Sequence, residues 1–243
     1  MSLMQLTYIF HSGFVFETDQ CILVFDYWMD PAGVLPRYLE SSKPMYVFAS
    51  HFHEDHFTPE ILTWRERKDN IRYLLSKDIL RHRRARKEDA DAWLGKGATW
   101  EDALVRVTAT GSNDSGVSWV VETGGMRLFH AGDLNNWHWM DESPEAEWKH
   151  DEAFFLRELE DIAIYTDRMD VVLFPVDPRL GREYMRGPVQ FVKRIKTAIF
   201  VPMHFDEAYD KAAAFAPIAR EYGAVMPEIR SRGQKISLEF NKK

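Results

Sequence analysis

The chain has 243 residues, of which 45% are hydrophobic and 28% are charged, so it is long enough to bury a substantial core as one large domain or two small ones. No run approaches the roughly 18 continuous apolar residues that span a bilayer, so the sequence predicts no membrane-spanning helix. Cys21 is the only cysteine, which excludes an intramolecular disulfide, and with no secretion leader before the first strand pattern the sequence predicts a cytoplasmic protein.

Short hydrophobic runs bounded by turn residues predict strands along most of the chain. The predicted strands are 5–10, 14–18, 22–26, 46–50, 72–76, 103–109, 117–123, 127–131, 171–176, 198–203 and 235–240. The predicted helices are 58–67, 78–93, 145–165, 187–195 and 207–222. The first hairpins are uninterrupted, and the later strands alternate with helices. This order predicts an α/β (α+β) protein in which two sheets pack face to face with helices outside.

The net charge of −7 is unevenly distributed. Residues 65–87 contain ten Lys and Arg against three Asp and Glu, so the rest of the chain is strongly acidic. We interpret the basic segment mainly as the solvated face of a helix, although charge asymmetry can also mark a surface for an anionic partner. The overall acidity argues against general binding of nucleic acid, which depends on neutralising phosphates.

The densest group of potential metal ligands is His51, His53, Asp55 and His56. Neutral imidazole is the commonest protein metal ligand, and zinc accepts both imidazole nitrogen and carboxylate oxygen. The group follows a predicted strand, 46–50, and residues two apart in extended chain point the same way. We therefore expect His51 and His53 to bind one ion and Asp55 and His56, past the bend, to bind a second.

Three further segments accompany this group in the order that a known family shows. They are the opening hairpin 10–17 with 22–26, the segment 128–133 ending in His130-Ala131-Gly132-Asp133, and the strand 200–205 containing His204. Together with the pattern His-x-His-x-Asp-His, they resemble the metallo-β-lactamase superfamily over nearly the whole chain. The nearest group is similar to L-ascorbate-6-phosphate lactonase.

The resemblance implies a four-layer αββα sandwich formed by a single domain over 1–243. It also implies two divalent metal ions, with zinc favoured over manganese or iron. His51 and His53 would bind the first ion and Asp55, His56 and His204 the second, while Asp133 would bridge both.

One position departs from that family pattern. The family usually supplies a third histidine to the first ion from a segment before the bridging Asp, and here residues 107–121 contain no histidine. Asp114 is the best replacement, because a carboxylate can substitute for imidazole on such an ion. Ser112 would be a weaker ligand, and the segment could also be an ordinary polar turn.

Several residues are candidates for roles around the ions. Asp55 could orient the attacking water or accept its proton, and His130 could act as a general acid or contact substrate. His11 has the same alternatives, and for both histidines a hydrogen-bonded strand residue is the competing interpretation. Asp26 could hold a ligating histidine through its second nitrogen. Arg179 could clamp an anionic group of the substrate, unless it pairs with nearby Asp177.

The sequence therefore predicts a metal-dependent hydrolase. A metal-activated water or hydroxide would attack a small, anionic ester, lactone or phosphoester. A nuclease of the same fold is one alternative, supported by the basic segment and opposed by the net charge. A degenerate member that binds metal or ligand without turnover is another, because of the missing histidine. A homo-oligomer is possible, and no membrane partner is expected.

Overall fold

The computed structural model describes residues 2–240 and contains two β-sheets flanked by helices. The strands are β1 (Ser2–Phe10), β2 (Gly13–Glu17), β3 (Ile22–Phe25), β4 (Met45–Ala49), β5 (Ile71–Ser76), β6 (Ala92–Leu94), β7 (Thr99–Glu101), β8 (Val105–Gly111), β9 (Val117–Thr123), β10 (Met126–His130), β11 (Arg168–Pro175), β12 (Lys196–Met203) and β13 (Lys235–Phe240). The α-helices are α1 (Pro36–Leu39), α2 (Lys77–Arg81), α3 (Glu145–Tyr165), α4 (Arg186–Arg194), α5 (Tyr209–Ala213) and α6 (Ala216–Glu221). Short 3-10 helices cover Pro59–Glu66, Lys87–Asp89 and Pro178–Glu183.

Each sheet is mixed. The first has the order β13-β1-β2-β3-β4-β5-β6, and its strands are antiparallel from β13 to β3 and parallel from β3 to β6. The second has the order β12-β11-β10-β9-β8-β7, with parallel pairs from β10 to β12 and antiparallel pairs elsewhere. The predicted α/β sandwich of four layers is confirmed.

Side chains of the first sheet alternate between two cores. Phe14 and Phe48 face the second sheet and join the central core. Val15 and Val47 face the other way and pack in a smaller core that includes Trp64 of the outer layer. Because both faces are buried, these strands are continuous hydrophobic runs in the sequence rather than alternating ones.

Helix α3 packs against the second sheet through Phe155, Leu159 and Ile162, which are all buried. Their spacing of four and then three residues places them on one helix face, so the pattern that predicted this helix also orients it. Among residues 2–240, no helix is both long and apolar enough to cross a membrane.

Polar residues follow the carboxyl ends of strands in both sheets. His11 follows β1, Asp26 follows β3 and Ser50 follows β4, while Asp133 and His204 follow β10 and β12. Ends of parallel strands are where α/β proteins build sites, because the loops that leave the sheet converge there.

The predicted helix over 78–93 is wrong. Helix α2 ends at Arg81, Arg83 has a left-handed backbone with φ 56°, and residues 92–94 form β6 beside β5. The segment carries closely spaced like charges and lacks a continuous apolar face, so nothing stabilises a long helix. The short strands β6 and β7 were also missed, and the predicted helix over 207–222 is divided into α5 and α6.

Candidate metal centre

The loops at the site hold non-glycine residues in left-handed backbone conformations. The φ angles are 55° at His11, 40° at Asp26 and 62° at His204. Each such residue costs about 1–3 kcal/mol and persists where its surroundings fix it. Here the His204 amide donates to the His11 carbonyl at 3.2 Å, and Asp26 accepts from the Ser50 amide at 2.8 Å.

The His51–His56 turn is closed by its own backbone. The amides of His56 and Phe57 both donate to the carbonyl of His53, at 3.1 and 2.9 Å. This tight turn brings the side chains of His51 and His56 together, with ring centroids 4.1 Å apart.

The turn is also held against the second sheet. The Val117 amide donates to the Ser50 carbonyl at 3.0 Å. Gly116 approaches so closely that a Cβ atom there would lie 2.0 Å from the same oxygen, and its φ is 65°. Only glycine satisfies both conditions, so the β8–β9 turn fixes the start of the segment 51–56, which we call the histidine loop.

Asp133 lies at the centre of the site. Its Oδ2 is 3.3 Å from Nε2 of His51. Its Oδ1 is 3.0 Å from Nε2 of His56 and 3.3 Å from Nε2 of His204. The two oxygens therefore face different imidazoles. The carboxylate side chain is only 10% exposed.

Two of these histidines are oriented by one carboxylate. Asp26 is fully buried, and its Oδ2 accepts from Nδ1 of His56 at 2.7 Å and from the Ser50 hydroxyl at 2.6 Å. The Ser50 hydroxyl in turn accepts from Nδ1 of His51 at 2.9 Å. Protonation of both Nδ1 atoms leaves both Nε2 lone pairs free, which is the tautomer that binds metal.

His204 is oriented in the same way by Asp177. The Nδ1 atom of His204 donates to Asp177 Oδ2 at 2.9 Å, and Asp177 is 1% exposed. From the sequence, Asp177 was expected only to pair with Arg179, and no role was predicted for Ser50. Their positions were informative, since Ser50 directly precedes His51 and Asp177 follows β11.

The free nitrogens match a cation. Nε2 of His51, His56 and His204 and Oδ1 of Asp133 are buried and have no hydrogen-bond partner within residues 2–240. A buried polar atom without a partner costs about 1–3 kcal/mol. Metal ions would satisfy these atoms together, so the residues fit the metal centre that the sequence predicts.

The charges of the site are strongly coupled. Burial alone would lower the pKa of His204, but the charge of Asp133 outweighs it and raises the pKa to about 9. The same carboxylate raises the pKa of His56 well above its usual value despite burial. Burial would raise the pKa of Asp133, yet the His56 and His204 charges hold it well below its usual range.

The potential ligands form two groups, in each of which the ligand atoms lie within 4.8 Å of one another. One group is His51, His53 and Asp133, and the other is His11, Asp55, His56 and His204. The structure therefore groups Asp133 with His51 and His53, and it groups Asp55, His56 and His204 with His11, which was not a predicted ligand. The predicted sharing of Asp133 by both ions stays a prediction.

Comparison with known proteins agrees with this geometry. A model of the β-lactamase superfamily domain matches residues 5–151, which is more than half of the chain. The chain belongs to the β-lactamase superfamily. The narrower resemblance to an ascorbate-6-phosphate lactonase stays a prediction.

Two proteins that are similar to this chain are named as metal-dependent hydrolases. A UPF0173 metal-dependent hydrolase from Symbiobacterium thermophilum is 26% identical over 249 residues, which cover 97% of this chain and 100% of the relative. The structure of Igni18, a metallo hydrolase from Ignicoccus hospitalis, covers 98% of this chain and 100% of its own, with 19% identity and a TM-score of 0.70.

The fold also occurs in a protein described as a hydroxylase rather than a hydrolase. CmlA, a diiron β-hydroxylase from Streptomyces venezuelae, matches 98% of this chain with 54% of its own, at 14% identity and a TM-score of 0.64. At this identity the likeness shows the fold alone.

Asp114 lies outside both ligand groups of this β-lactamase superfamily member. Its side chain is exposed in the β8–β9 turn, where its amide donates to the Ser112 hydroxyl at 3.4 Å. Although the residue is exposed, surrounding atoms and the charge of Asp133 raise the pKa of Asp114. A ligand role for Asp114 stays a prediction.

His130 has a different environment from the one expected of a general acid. It is fully buried, its Nε2 donates to the Ser12 carbonyl at 2.9 Å, and its Nδ1 accepts from the Gly132 amide at 3.1 Å. Its ring stacks on Phe25 with centroids 5.0 Å apart, and burial lowers its pKa. With both nitrogens bonded to backbone, His130 joins the two sheets, and we assign it no proton transfer.

Arg179 pairs with Asp177, the plainer of the two alternatives drawn from the sequence. Its Nε lies 2.9 Å from Oδ2 of Asp177, and its side chain is 54% exposed. Arg179 reaches the site through Asp177, which also holds His204, and directly, since its Nη2 lies 3.1 Å from Nδ1 of His204. The prediction that it contacts substrate stays open.

The basic segment lies beside the histidine loop. The His82 ring stacks on Phe52, with centroids 3.6 Å apart and planes 9° apart, and Phe52 packs on His53 with centroids 4.3 Å apart. Residues 81–87 are exposed except for Ala85. The positive charge therefore lies at one side of the cleft rather than on a remote helix.

Proposed function

We propose that this protein is a metal-dependent hydrolase that holds two metal ions and acts on a small anionic ester, lactone or phosphoester. One observation carries the proposal: the two oxygens of Asp133 face different imidazoles. Oδ2 lies 3.3 Å from Nε2 of His51, while Oδ1 lies 3.0 and 3.3 Å from Nε2 of His56 and His204. A carboxylate divided in this way suits a bridge between two cations about 3.5–4 Å apart.

The two ligand groups define two metal positions. Position one comprises His51 and His53, and position two comprises Asp55, His56 and His204, with Asp133 shared. Imidazole and carboxylate donors suit zinc, and they also suit manganese or iron, so metal analysis must decide among them. Metal ions there would supply Lewis-acid activation of water and stabilise the oxygens that attack and leave.

Asp55 has two tasks in this proposal. Its carboxylate is 34% exposed, so one side can contact the cleft while the other faces His56. Burial would raise the pKa of Asp55, but the adjacent His11 imidazole and the charge of His56 leave it far below the usual range. A carboxylate of such low pKa is a weak base, so Asp55 binds metal and orients water rather than keeping the proton.

The basic segment supports an anionic substrate. His82 of this segment stacks on Phe52, and Phe52 packs on His53, so at His82 the segment lies near the outer side of position one. This segment contains exposed Arg83 and Arg84. Positive charge at the mouth of a cleft raises the local concentration of anions and their rate of association.

The metal content of the chain, produced without a His tag or chelator, tests the first part of the proposal. We expect about two ions per wild-type chain. Asp133→Asn should retain at most one ion, because a neutral amide lacks the negative charge and the second anionic oxygen with which a carboxylate bridges two cations. Asp170→Asn is a matched control, because Asp170 lies on β11 outside both ligand groups. Its carboxylate accepts a hydrogen bond from the Arg127 amide at 2.9 Å.

A hydrolysis screen with lactones, carboxylic esters and phosphoesters tests the second part. Asp133→Asn should lower kcat/KM by more than about 100-fold, because the Lewis-acid contribution amounts to several kcal/mol. Arg83→Glu with Arg84→Glu should raise KM for anionic substrates without changing metal content, while Arg220→Glu on α6 should not. Full metal loading without hydrolysis of any class would refute the proposed activity, and salt-dependent cleavage of an oligonucleotide would favour a nuclease instead.

A further inference from the structure

We propose that His11 is a direct ligand of position two, so that the two metal positions are unequal in donors and in affinity. This inference rests on the proposed two-metal function. It differs from the expectation drawn from the sequence, in which His11 contacts substrate or acts as a general acid.

The Nε2 atom of His11 points into the ligand cluster. It lies 3.3 Å from Oδ2 of Asp55, is buried, and has no hydrogen-bond partner within residues 2–240. The His11 ring centroid is 4.0 Å from that of His204 and 5.7 Å from that of His56. Three buried imidazoles that converge on one carboxylate form a cation site rather than a substrate surface.

The other side of His11 is fixed in the way that ligating histidines are fixed. Nδ1 donates to Oδ1 of Asp206 at 2.7 Å, so the proton is on Nδ1 and the lone pair is on Nε2. The carboxylate that holds it lies two residues after His204, on the same loop. His11 and Asp206 both have left-handed backbones, with φ of 55° and 50°. The two loops therefore store strain in order to hold this contact.

The position of His11 argues against proton exchange with substrate. The side chain is 3% exposed, and Trp28 covers it with ring centroids 5.8 Å apart in an edge contact. A general acid must reach the leaving group within hydrogen-bond distance. The only free atom of the ring, Nε2, is directed at Asp55 instead.

The donor sets then differ between the positions. Position two has three imidazoles and Asp55, together with Asp133. Position one has His51 and His53 with Asp133, and the turn that should complete it contains the exposed Asp114. More donors with fixed orientation give tighter binding, while an incompletely ligated ion keeps room for water and substrate. Position two therefore fills first and position one is the exchangeable site.

Stepwise metal titration of the full chain tests this order. Chelator-treated protein is titrated with Zn²⁺ against a chromogenic chelator and, in parallel, with Co²⁺ while its visible absorption is recorded. The wild type should show a tight and a weaker class. His11→Ala should weaken the tight class by at least the roughly 10–100-fold that loss of an outer partner costs, and should change the spectrum of the first Co²⁺ bound.

Three further variants make the test specific. Asp206→Asn leaves His11 in place and keeps an oxygen acceptor, but it removes the negative charge that holds Nδ1, so it should weaken the tight class by about 10–100-fold. His53→Ala should affect only the weaker class. His138→Gln is the matched control, because His138 is buried with both nitrogens bonded to backbone, at 3.1 Å to the Glu183 carbonyl and 3.1 Å from the Met140 amide. It should leave both classes unchanged.

The outcomes separate this inference from the function on which it rests. If His11→Ala and Asp206→Asn are folded by circular dichroism and bind the first ion with wild-type affinity and spectrum, His11 is not a ligand. If the wild type itself binds no ion, the proposed metal-dependent function is refuted as well. If His11→Ala is unfolded, the spectrum and affinity of Asp206→Asn decide the question.

Discussion

Replacement of Asp26 by Asn should reduce metal affinity although Asp26 itself is not a proposed ligand. Its carboxylate accepts three hydrogen bonds, from the Ser50 amide at 2.8 Å, the Ser50 hydroxyl at 2.6 Å and Nδ1 of His56 at 2.7 Å. Asn keeps the shape and the bond to the Ser50 amide. It places an NH₂ group where Oδ2 was, and that group meets a donor on His56.

The expected magnitude follows from the tautomer of His56. To avoid two facing donors, the ring must move its proton to Nε2, which then donates to Oδ1 of Asp133, 3.0 Å away. A protonated Nε2 cannot bind metal. Loss of such an outer partner typically costs 10–100-fold in affinity, which corresponds to about 1.4–2.8 kcal/mol. The metal-free chain should lose about 1–3 kcal/mol, because one hydrogen bond to a charged group is lost.

Competition with a chromogenic chelator measures the affinity, and urea denaturation of chelator-treated protein measures the free energy of unfolding. Asp102→Asn is the control, since Asp102 accepts from the Tyr46 hydroxyl at 2.6 Å and from the Leu104 and Val105 amides at 2.8 and 3.0 Å. It should lower stability without changing metal affinity. A folded Asp26→Asn protein with wild-type affinity would show that the Asp26–His56 contact does not set the tautomer.

Three further results are expected. Gly116→Ala should destabilise the chain far more than Gly125→Ala. Both glycines have positive φ, but a Cβ atom at Gly116 would lie 2.0 Å from the Ser50 carbonyl oxygen, whereas nothing lies within 4 Å of one at Gly125. Urea denaturation should give a loss of about 1–2 kcal/mol for Gly125→Ala, and a similar loss for both variants would contradict the close approach. His130→Gln should lower the free energy of unfolding by about 1–3 kcal/mol while metal content stays unchanged, and a loss of activity without a loss of stability would restore its catalytic role. Burial would lower the pKa of His204, but the Asp133 charge raises it to about 9 in the folded chain. Protonated His204 therefore stabilises the metal-free chain fully below about pH 6.5, the approximate pKa of histidine in the unfolded chain, and this stabilisation is lost as the pH rises through about 9. Urea denaturation of chelator-treated protein at these two pH values should show a loss of up to about 3 kcal/mol that His204→Gln removes; equal losses in both proteins would assign the effect to another group.

Most of the fold could be predicted because the buried strands are long apolar runs. Strands such as β4 and β12 stand out from their neighbours, and α3 has a clear apolar face. The short edge strands β6 and β7 have three residues each and mixed burial, so no periodic pattern identifies them. The basic segment failed for a different reason, since high helix propensity without a face to bury does not give a helix.

The site could be predicted where ligands are neighbours in sequence and not where the fold alone brings them together. The potential metal ligands in the His51–His56 turn can be recognised from the sequence alone. His11, by contrast, is separated from Asp206 by nearly the whole chain, and only the meeting of the loops after β1 and β12 reveals that Asp206 orients it. The sequence likewise left two roles open for His130, because its partner Ser12 lies across the sandwich.

The distribution of ligands between the sheets gives the centre a second consequence. His51 and His56 follow β4 of the first sheet, while Asp133 and His204 follow β10 and β12 of the second. Ions bound between them would link the two sheets at the edge where the loops are most strained. Binding to the native state alone stabilises that state by mass action, so removal of metal should weaken this edge before the hydrophobic core. The bridging geometry of Asp133 would then serve the fold as well as the chemistry, and a retained ion at the better-ligated position would keep the edge closed while the other ion exchanges.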